Sequence, residues 1–126
     1  MSRLGSLAFA DGSVYGVGEA ISSGDVVAAL INSQISVNNI VATFVIRNTG
    51  NDDLNLSSII SFEAKDGEGT KGEYSLSLDG SIDGKILPGN SLRGNVEWTF
   101  AGPPTGVKVY FKPALFDGDT IVWAAG

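Results

Sequence analysis

The segment Ile40-Val-Ala-Thr-Phe-Val-Ile-Arg-Asn-Thr-Gly-Asn-Asp-Asp-Leu-Asn-Leu56 predicts a core β-strand that ends in a tight surface turn. Its first half is β-branched and aromatic, an Asn/Gly/Asp cluster follows, and a new apolar alternation then begins. Alternate positions place Ile40 and Phe44 on one face of the strand and Val41 and Val45 on the other. Because both faces are apolar, we expect a central strand that is covered on both sides.

The same succession of a short apolar strand and a Gly/Pro/Asn turn recurs along the chain. Strands are predicted near residues 14–21, 26–31, 40–47, 60–64, 74–78, 92–100, 107–111 and 120–124. The polar run from Ser33 to Asn39 is expected to be a turn, and the last strand is expected to close a sheet edge. The pattern predicts an all-β protein, an antiparallel β-sandwich of two sheets with about seven to nine strands. Residues 1–13 would be a lead-in or an edge strand, and 14–126 a single domain.

Composition supports a folded core and limits the partners. The chain has 126 residues, of which 43% are hydrophobic and 17% charged. Its net charge is −6 and its basic residues are spread singly along the sequence, which argues against nucleic acid and anionic lipid as partners. There is no cysteine, so packing alone must hold the fold.

No segment is apolar for long enough to insert directly into a membrane. The first ten residues contain only a broken apolar stretch and do not predict a signal peptide, so we expect that the signal or anchor of an exported protein is missing from this chain.

Several turn and strand motifs resemble one known family. They are Val14-Tyr-Gly-Val-Gly-Glu19, Val45-Ile-Arg-Asn-Thr-Gly50, Phe62-Glu-Ala-Lys-Asp-Gly67, Ile86-Leu-Pro-Gly-Asn-Ser-Leu-Arg-Gly94 followed by Val96-Glu-Trp98, and Val107-Lys-Val-Tyr-Phe-Lys-Pro113. Together they are similar to the immunoglobulin-like domain of unknown function found in bacterial and archaeal envelope lipoproteins. The resemblance implies an immunoglobulin-like sandwich and a non-catalytic, extracytoplasmic module that is often tethered to the cell surface. The chain lacks the lipid-bearing cysteine of such lipoproteins.

The residues that most hydrolases need are missing. Without histidine and cysteine, Ser-His-Asp and Cys-His triads and the usual zinc sites are excluded. A carboxylate pair would remain, but Glu63, Glu73 and Glu97 each occupy the polar face of an alternating strand, where a solvated charge is usual. We therefore expect a protein that is not an enzyme.

One segment has the spacing of a cation-binding loop. In Asp79-Gly-Ser-Ile-Asp-Gly84, the side chains of Asp79, Ser81 and Asp83 could supply alternate oxygen ligands to calcium. Asn90 stands where the final glutamate of a complete loop would be, so an ordinary turn is the preferred interpretation. The Asp117-Gly-Asp119 turn is a weaker case.

Aromatic residues are the candidate ligand platforms. Trp98 alternates in phase with Val96 and Phe100, which favours a place in the core. Tyr110 lies between Lys108 and Lys112 on the polar face of its strand. Trp123 would favour a sugar-binding role if it were exposed beside Tyr110.

The leading hypothesis is a non-enzymatic, immunoglobulin-like module of a prokaryotic cell-envelope or surface protein that binds a protein or a glycan. Two alternatives stay open. One is a structural subunit of an extracellular filament or virion surface, in which the N-terminal segment or residues 120–124 would complete a neighbour's sheet. The other is a carbohydrate-binding module. Self-association is left open.

Overall fold

The computed structural model describes residues 8–9, 13–58, 61–75, 82–112 and 120–125, and all regular structure in them is β-strand. No helix among these residues has the length and apolarity that a membrane crossing would need. The strands are β1 (Ala8–Phe9), β2 (Val14–Tyr15), β3 (Ala20–Ser23), β4 (Val26–Ser36), β5 (Asn39–Asn48), β6 (Leu54–Leu56), β7 (Phe62–Lys65), β8 (Glu73–Tyr74), β9 (Gly84–Ile86), β10 (Ser91–Thr99), β11 (Lys108–Phe111) and β12 (Ile121–Ala124).

The strands form two main sheets and one short antiparallel pair. The larger sheet has six strands in the order β1-β3-β4-β5-β10-β8, and the smaller has four in the order β2-β12-β11-β7. Strands β6 and β9 form a separate pair. The all-β sandwich expected from the sequence is confirmed, with twelve strands in the described residues where about seven to nine were expected.

Strand alternation decides which side chains enter the core. In β5 the side chains of Ile40, Ala42, Phe44 and Ile46 are fully buried, as predicted. Val96 and Trp98 of β10 are buried in the same phase, which confirms the core position expected for Trp98. The intervening residues Val41, Thr43 and Val45 are partly exposed on the outer face of the six-stranded sheet.

Aromatic rings join the two sheets. Phe44 of β5 lies 4.6 Å from Phe62 of β7 and 5.7 Å from Trp123 of β12, measured between ring centroids. Phe62 also contacts Phe111 of β11 at 5.0 Å. These tilted contacts fill the space between the sheets and fix the inward face of the four-stranded sheet.

The polar run predicted as a turn is largely strand. β4 continues to Ser36, and Ser36 pairs with Asn39 of β5, so that only Val37 and Asn38 form the turn. The residues are polar because this end of the hairpin is exposed, while β5 satisfies their backbone groups.

The last strand is not at a sheet edge. β12 pairs with β11 on one side and with β2 on the other. The pairing of β2 with β12 is parallel, as is that of β1 with β3, which alternation cannot reveal because it indicates the face of a strand and not its direction. β12 is thus covered by β2 at Val122 and Trp123, which argues against residues 120–124 as the strand that completes a neighbour's sheet, and the structural-subunit alternative stays a prediction.

Asn48 connects the end of β5 to the turn between β9 and β10. It is 2% exposed, and its backbone and side-chain polar groups are all hydrogen-bonded. Its backbone N–H donates to the carbonyl oxygen of Asn90 (2.9 Å), and its carbonyl oxygen accepts a hydrogen bond from Gly89 N (2.8 Å). Its side-chain Nδ2 donates to the carbonyl oxygens of Asp52 (2.7 Å) and Ile86 (2.9 Å). Its Oδ1 accepts a hydrogen bond from Gly50 N (2.9 Å). The Asn-Thr-Gly and Pro-Gly-Asn motifs of the sequence thus form a single hydrogen-bonded unit.

The tip of the β4–β5 hairpin is strained. Val37 has a φ of 52°, and within the described part of the chain no other non-glycine residue has a positive φ. A β-branched side chain disfavours this conformation, and two-residue hairpin turns usually place glycine or asparagine there. Its side chain is 78% exposed, so no packing is seen to compensate for the strain.

Replacing Asn48→Asp should destabilise the fold by about 2–4 kcal/mol at neutral pH, because a buried carboxylate would face two carbonyl oxygens that now receive hydrogen bonds. Burial would raise the pKa of the new carboxyl in the folded state, so the loss should shrink as the pH falls toward about 4, its unfolded value. Urea unfolding at several pH values measures this. The exposed Asn51→Asp is the control, and equal losses in both variants would contradict the role of Asn48.

Replacing Val37→Gly should raise the free energy of unfolding by about 1 kcal/mol, since glycine adopts a positive φ without steric cost. Val17→Gly provides a matched control, because Val17 is also exposed in a turn but its φ is not positive. That control should lower stability through the added freedom of the unfolded chain. Thermal unfolding of both variants checks the prediction, and destabilisation by Val37→Gly would refute the strain.

Candidate binding face of the four-stranded sheet

The outer face of the four-stranded sheet carries a cluster of lysines. In β7 and β11, Phe62, Ala64, Val109 and Phe111 point into the core, so the alternating residues point outward. We call this outer surface the lysine face, and it consists of Lys65, Lys71, Lys108 and Lys112 with Glu63 and Tyr110 among them.

Strand register places these side chains beside one another. Lys108 is directly opposite Lys65, and Tyr110 is directly opposite Glu63. Lys71 forms a single bridge with Lys65 on the other side of β7. Opposed residues in neighbouring strands share a face and have Cβ atoms about 5 Å apart, so the lysines of three adjacent backbone segments form a row.

Glu63 lies beside this row, opposite Tyr110, and it is buried, in contrast to the solvated charge expected from the sequence. Its Oε1 lies 2.9 Å from Lys112 Nζ, and its Oε2 lies 3.7 Å from Lys71 Nζ. Burial alone would raise the pKa of Glu63, but the hydrogen bond from Lys112 and the charges of Lys112, Lys71 and Lys65 outweigh it and hold the pKa below its ordinary value. Glu63 therefore stays ionised and draws two lysines together.

Tyr110 lies half-buried between the lysines. The Nζ atom of Lys65 is 5.4 Å from the centroid of its ring, within the range of a cation–π contact. Val122 of β12 is opposite Tyr110, and Val14 of β2 is opposite Val122. These two apolar side chains extend the row that begins with Glu63 and Tyr110, next to the row of lysines. The expected outward position of Tyr110 is thus confirmed, while its role in binding stays a prediction.

A shallow groove borders the lysine face where the chain passes from one sheet to the other. Residues 70–75 leave the edge of β7 and enter the six-stranded sheet as β8, whose Tyr74 pairs with Trp98. The groove is lined by Glu63, Lys71, Lys112, Glu73 and Tyr74, among others. Of the strand predicted near 74–78, Tyr74 belongs to β8 of the six-stranded sheet, and residues 76–78 lie outside the described residues.

Trp123 is not a surface platform. Its side chain is 0% exposed, and its Nε1 donates a hydrogen bond of 3.2 Å to the carbonyl oxygen of Glu19. It alternates in phase with Ile121, which is also fully buried. The proposed ligand-binding role of Trp123 is therefore corrected, and Tyr110 is the aromatic candidate that remains.

The predicted calcium loop is only partly described. Asp79 and Ser81 lie outside the described residues, as do Asp117 and Asp119. The carboxylate of Asp83 accepts hydrogen bonds from Ser58 N (2.8 Å) and from Ser58 Oγ (3.1 Å to Oδ1 and 3.0 Å to Oδ2). Within the described ranges, no group of three or more acidic side chains is arranged to hold a metal ion. Asp83 thus connects two loops, and neither the preferred interpretation, a turn without a cofactor, nor the calcium alternative is tested.

Sequence reasoning missed the lysine cluster. Along the chain the four lysines are separate, and the pairing of β7 with β11 is what brings them together. A signal was present, since Lys65, Lys108 and Lys112 all occupy outward positions next to buried apolar residues. Without knowledge of which strands are neighbours, that signal could not identify a shared surface.

Replacing Glu63→Gln should lower the free energy of unfolding by roughly 0.5–1 kcal/mol at neutral pH, because Lys71 and Lys112 would lose their acidic partner. The pKa of Glu63 is lowered in the fold, so its contribution is present above the unfolded value of about 4.3 and is lost as the pH falls through the folded value.

Urea unfolding near neutral pH and at about pH 2.5 should show a difference from the native sequence only at the higher pH. Glu68→Gln, in the exposed turn after β7, is the control and should change stability at neither pH. An equal loss from Glu63→Gln at both pH values would contradict the ion-pair account.

Solved structures with a similar fold come from bacteria. The yjhA protein of Bacillus subtilis matches with a TM-score of 0.74 and 14% identity, over 90% of this chain and 100% of that one. The secreted protein MPT63 of Mycobacterium tuberculosis matches with a TM-score of 0.59 and 13% identity, over 96% of this chain and 99% of that one. At these identities the likeness shows a shared fold.

A proposed lipoprotein of Bacillus subtilis, ycdA, matches with a TM-score of 0.64 and 16% identity, over 80% of this chain and 37% of that one. No curated protein matches the sequence. The family model for a domain of unknown function, DUF4352, matches residues 15–119. Because this match spans most of the chain, the protein belongs to the DUF4352 family of domains of unknown function.

Proposed function

We propose that this chain is a non-enzymatic binding module of a prokaryotic cell-envelope or surface protein, and that it holds a protein or a glycan partner. The lysine face is the observation that carries the proposal. The chain has eight lysines and arginines and a net charge of −6, yet Lys65, Lys71, Lys108 and Lys112 converge on one side of a small sheet. Concentrated like charge disfavours folding, and a bound partner of opposite charge would offset that cost.

The comparisons support a location outside the cytoplasm. Among proteins of similar fold, one is described as secreted and another as a proposed lipoprotein. An immunoglobulin-like type of sandwich and an envelope location are both part of this proposal.

The chemistry of the described carboxylates supports binding over catalysis. Glu63 is paired with two lysines and its pKa is lowered, whereas a general acid at neutral pH needs a raised pKa. Glu97 accepts a hydrogen bond of 2.9 Å from Asn39 Nδ2 across the β5–β10 pair. With no histidine or cysteine in the chain, the common nucleophile and base pairs are also missing.

Labelling of intact cells tests the location. Cells of the native host that express the full-length protein would be treated with a membrane-impermeant amine reagent, and the modified lysines identified by peptide mass mapping. Lys85 is the reporter, because it is exposed on β9, outside the lysine face, and should react whatever occupies that face.

We expect Lys85 to be modified in intact cells, while the lysines of a cytoplasmic protein react only after lysis. Modification of Lys85 only after lysis would place the domain in the cytoplasm and overturn the proposed function.

A further inference from the structure

We infer that the lysine face binds an acidic polysaccharide, a chain of sugars that carry carboxylate groups, with Tyr110 contacting a sugar ring between the lysines. The inference rests on the proposed binding function and specifies the ligand for the same face.

Two lysines of the lysine face, Lys65 and Lys108, carry positive charge without an ion-pair partner among the described residues. Lys65 and Lys108 are directly opposite one another, an arrangement that destabilises a sheet when both residues carry the same charge. Within the described part of the chain, neither lysine forms an ion pair with an acidic side chain, whereas Lys71 and Lys112 both contact Glu63. The Lys65 ammonium lies 5.4 Å from the centroid of the Tyr110 ring, but no described carboxylate is in ion-pair contact with it or with Lys108, so both can bind an external anion.

The nearby acidic residues leave this charge largely uncompensated. Glu63 offsets one of the four lysines. Asp66 follows Lys65, but its Oδ1 accepts hydrogen bonds of 2.9 Å from the backbone N–H groups of Glu68 and Thr70, which holds it in its own turn. Glu73 lies across the groove, where its strand pairs with β10 of the other sheet.

The surface beside the lysines has the aromatic and aliphatic side chains that suit a sugar ring. Tyr110 is half-buried, and Val122 and Val14 continue the same row toward the edge of the sheet. Tyrosine combines an apolar ring with a polar hydroxyl, which suits a sugar ring with its apolar C–H face and its hydroxyls. A flat strip of aromatic and aliphatic side chains next to lysines fits a ligand that is part sugar ring and part carboxylate.

The lysine face suits a carboxylate polysaccharide better than a polyanion of higher charge density. Arg47 and Arg93, the arginines that the structure describes, lie on the six-stranded sheet, so among the described residues the lysine face has none of the bidentate donors that phosphate sites favour. A chain of net charge −6 repels any polyanion at long range, and it repels duplex DNA, with one charge per about 1.7 Å, more strongly than a polysaccharide with one carboxylate per sugar. Of the large apolar side chains that are exposed, Val14 is the one on this face, which is little for insertion into a lipid surface.

Isothermal titration calorimetry of the purified chain with polygalacturonate tests the inference, with dextran as the neutral polymer. The test variant is Lys65→Gln with Lys108→Gln, which removes two charges that form no ion pair with a described residue. The matched control is Arg47→Gln with Arg93→Gln, which makes the same change in net charge on the outer face of the other sheet. Thermal unfolding confirms that both variants are folded.

We expect the native chain to bind polygalacturonate and not dextran, and the affinity to fall as salt is added. The lysine variant should bind about five- to thirtyfold more weakly, and the arginine variant should change by less than about twofold. Tyr110→Ala should also weaken binding at unchanged net charge.

Three results would overturn the inference: no binding of polygalacturonate, an equal loss in the arginine variant, or tighter binding to phosphatidylglycerol vesicles than to the polymer. Each of these leaves the labelling of Lys85 in intact cells unaffected, so failure of the ligand can be told apart from failure of the proposed function.

Discussion

The packing of Phe44 against the opposite sheet holds the two layers of the sandwich together. Its ring meets Phe62 and Trp123, and Phe62 in turn meets Phe111, so one residue of β5 is in contact with the middle of the four-stranded sheet. The chain contains no cysteine, so buried aromatic surface must supply what a disulfide between sheets would otherwise contribute. Because side chains alternate along a strand, fixing Phe62 and Phe111 inward also fixes Glu63, Lys65 and Tyr110 outward.

The candidate site is therefore a consequence of the core. The inner face of β7 and β11 is buried and apolar, and the outer face of the same strands presents lysines at alternate positions. On the outer face, Glu63 connects neighbouring segments, because it forms ion pairs with both Lys71 and Lys112. Lys65 and Lys108 have no such partner among the described residues, and this asymmetry is the reason that we propose the face as a binding surface.

The sequence predicts the strands better than their arrangement. Alternation located β5, β7, β10 and β11 and their inward faces, because burial on one side of a sheet imposes a period of two that the residues themselves display. Trp98 could be placed in the core since two neighbours share its phase, whereas Trp123 stands in a short terminal run that left its exposure open. Strand order, the parallel edges and the lysine cluster depend on contacts between distant segments, which no local pattern encodes. The strained turn at Val37 was also hidden, since valine is not a residue that such turns favour.

The most direct measurement is a map of backbone amide chemical shifts in the isotope-labelled chain during titration with oligogalacturonate. We expect the largest changes on β7, β11 and β12 and around Lys71, while the β4–β5 hairpin and the outer face of β10 stay unchanged. Because the register places Lys65, Lys108 and Tyr110 together, their amides should shift over the same range of ligand concentration. Changes concentrated on the six-stranded sheet, with β7 and β11 unaffected, would contradict a binding site on the lysine face.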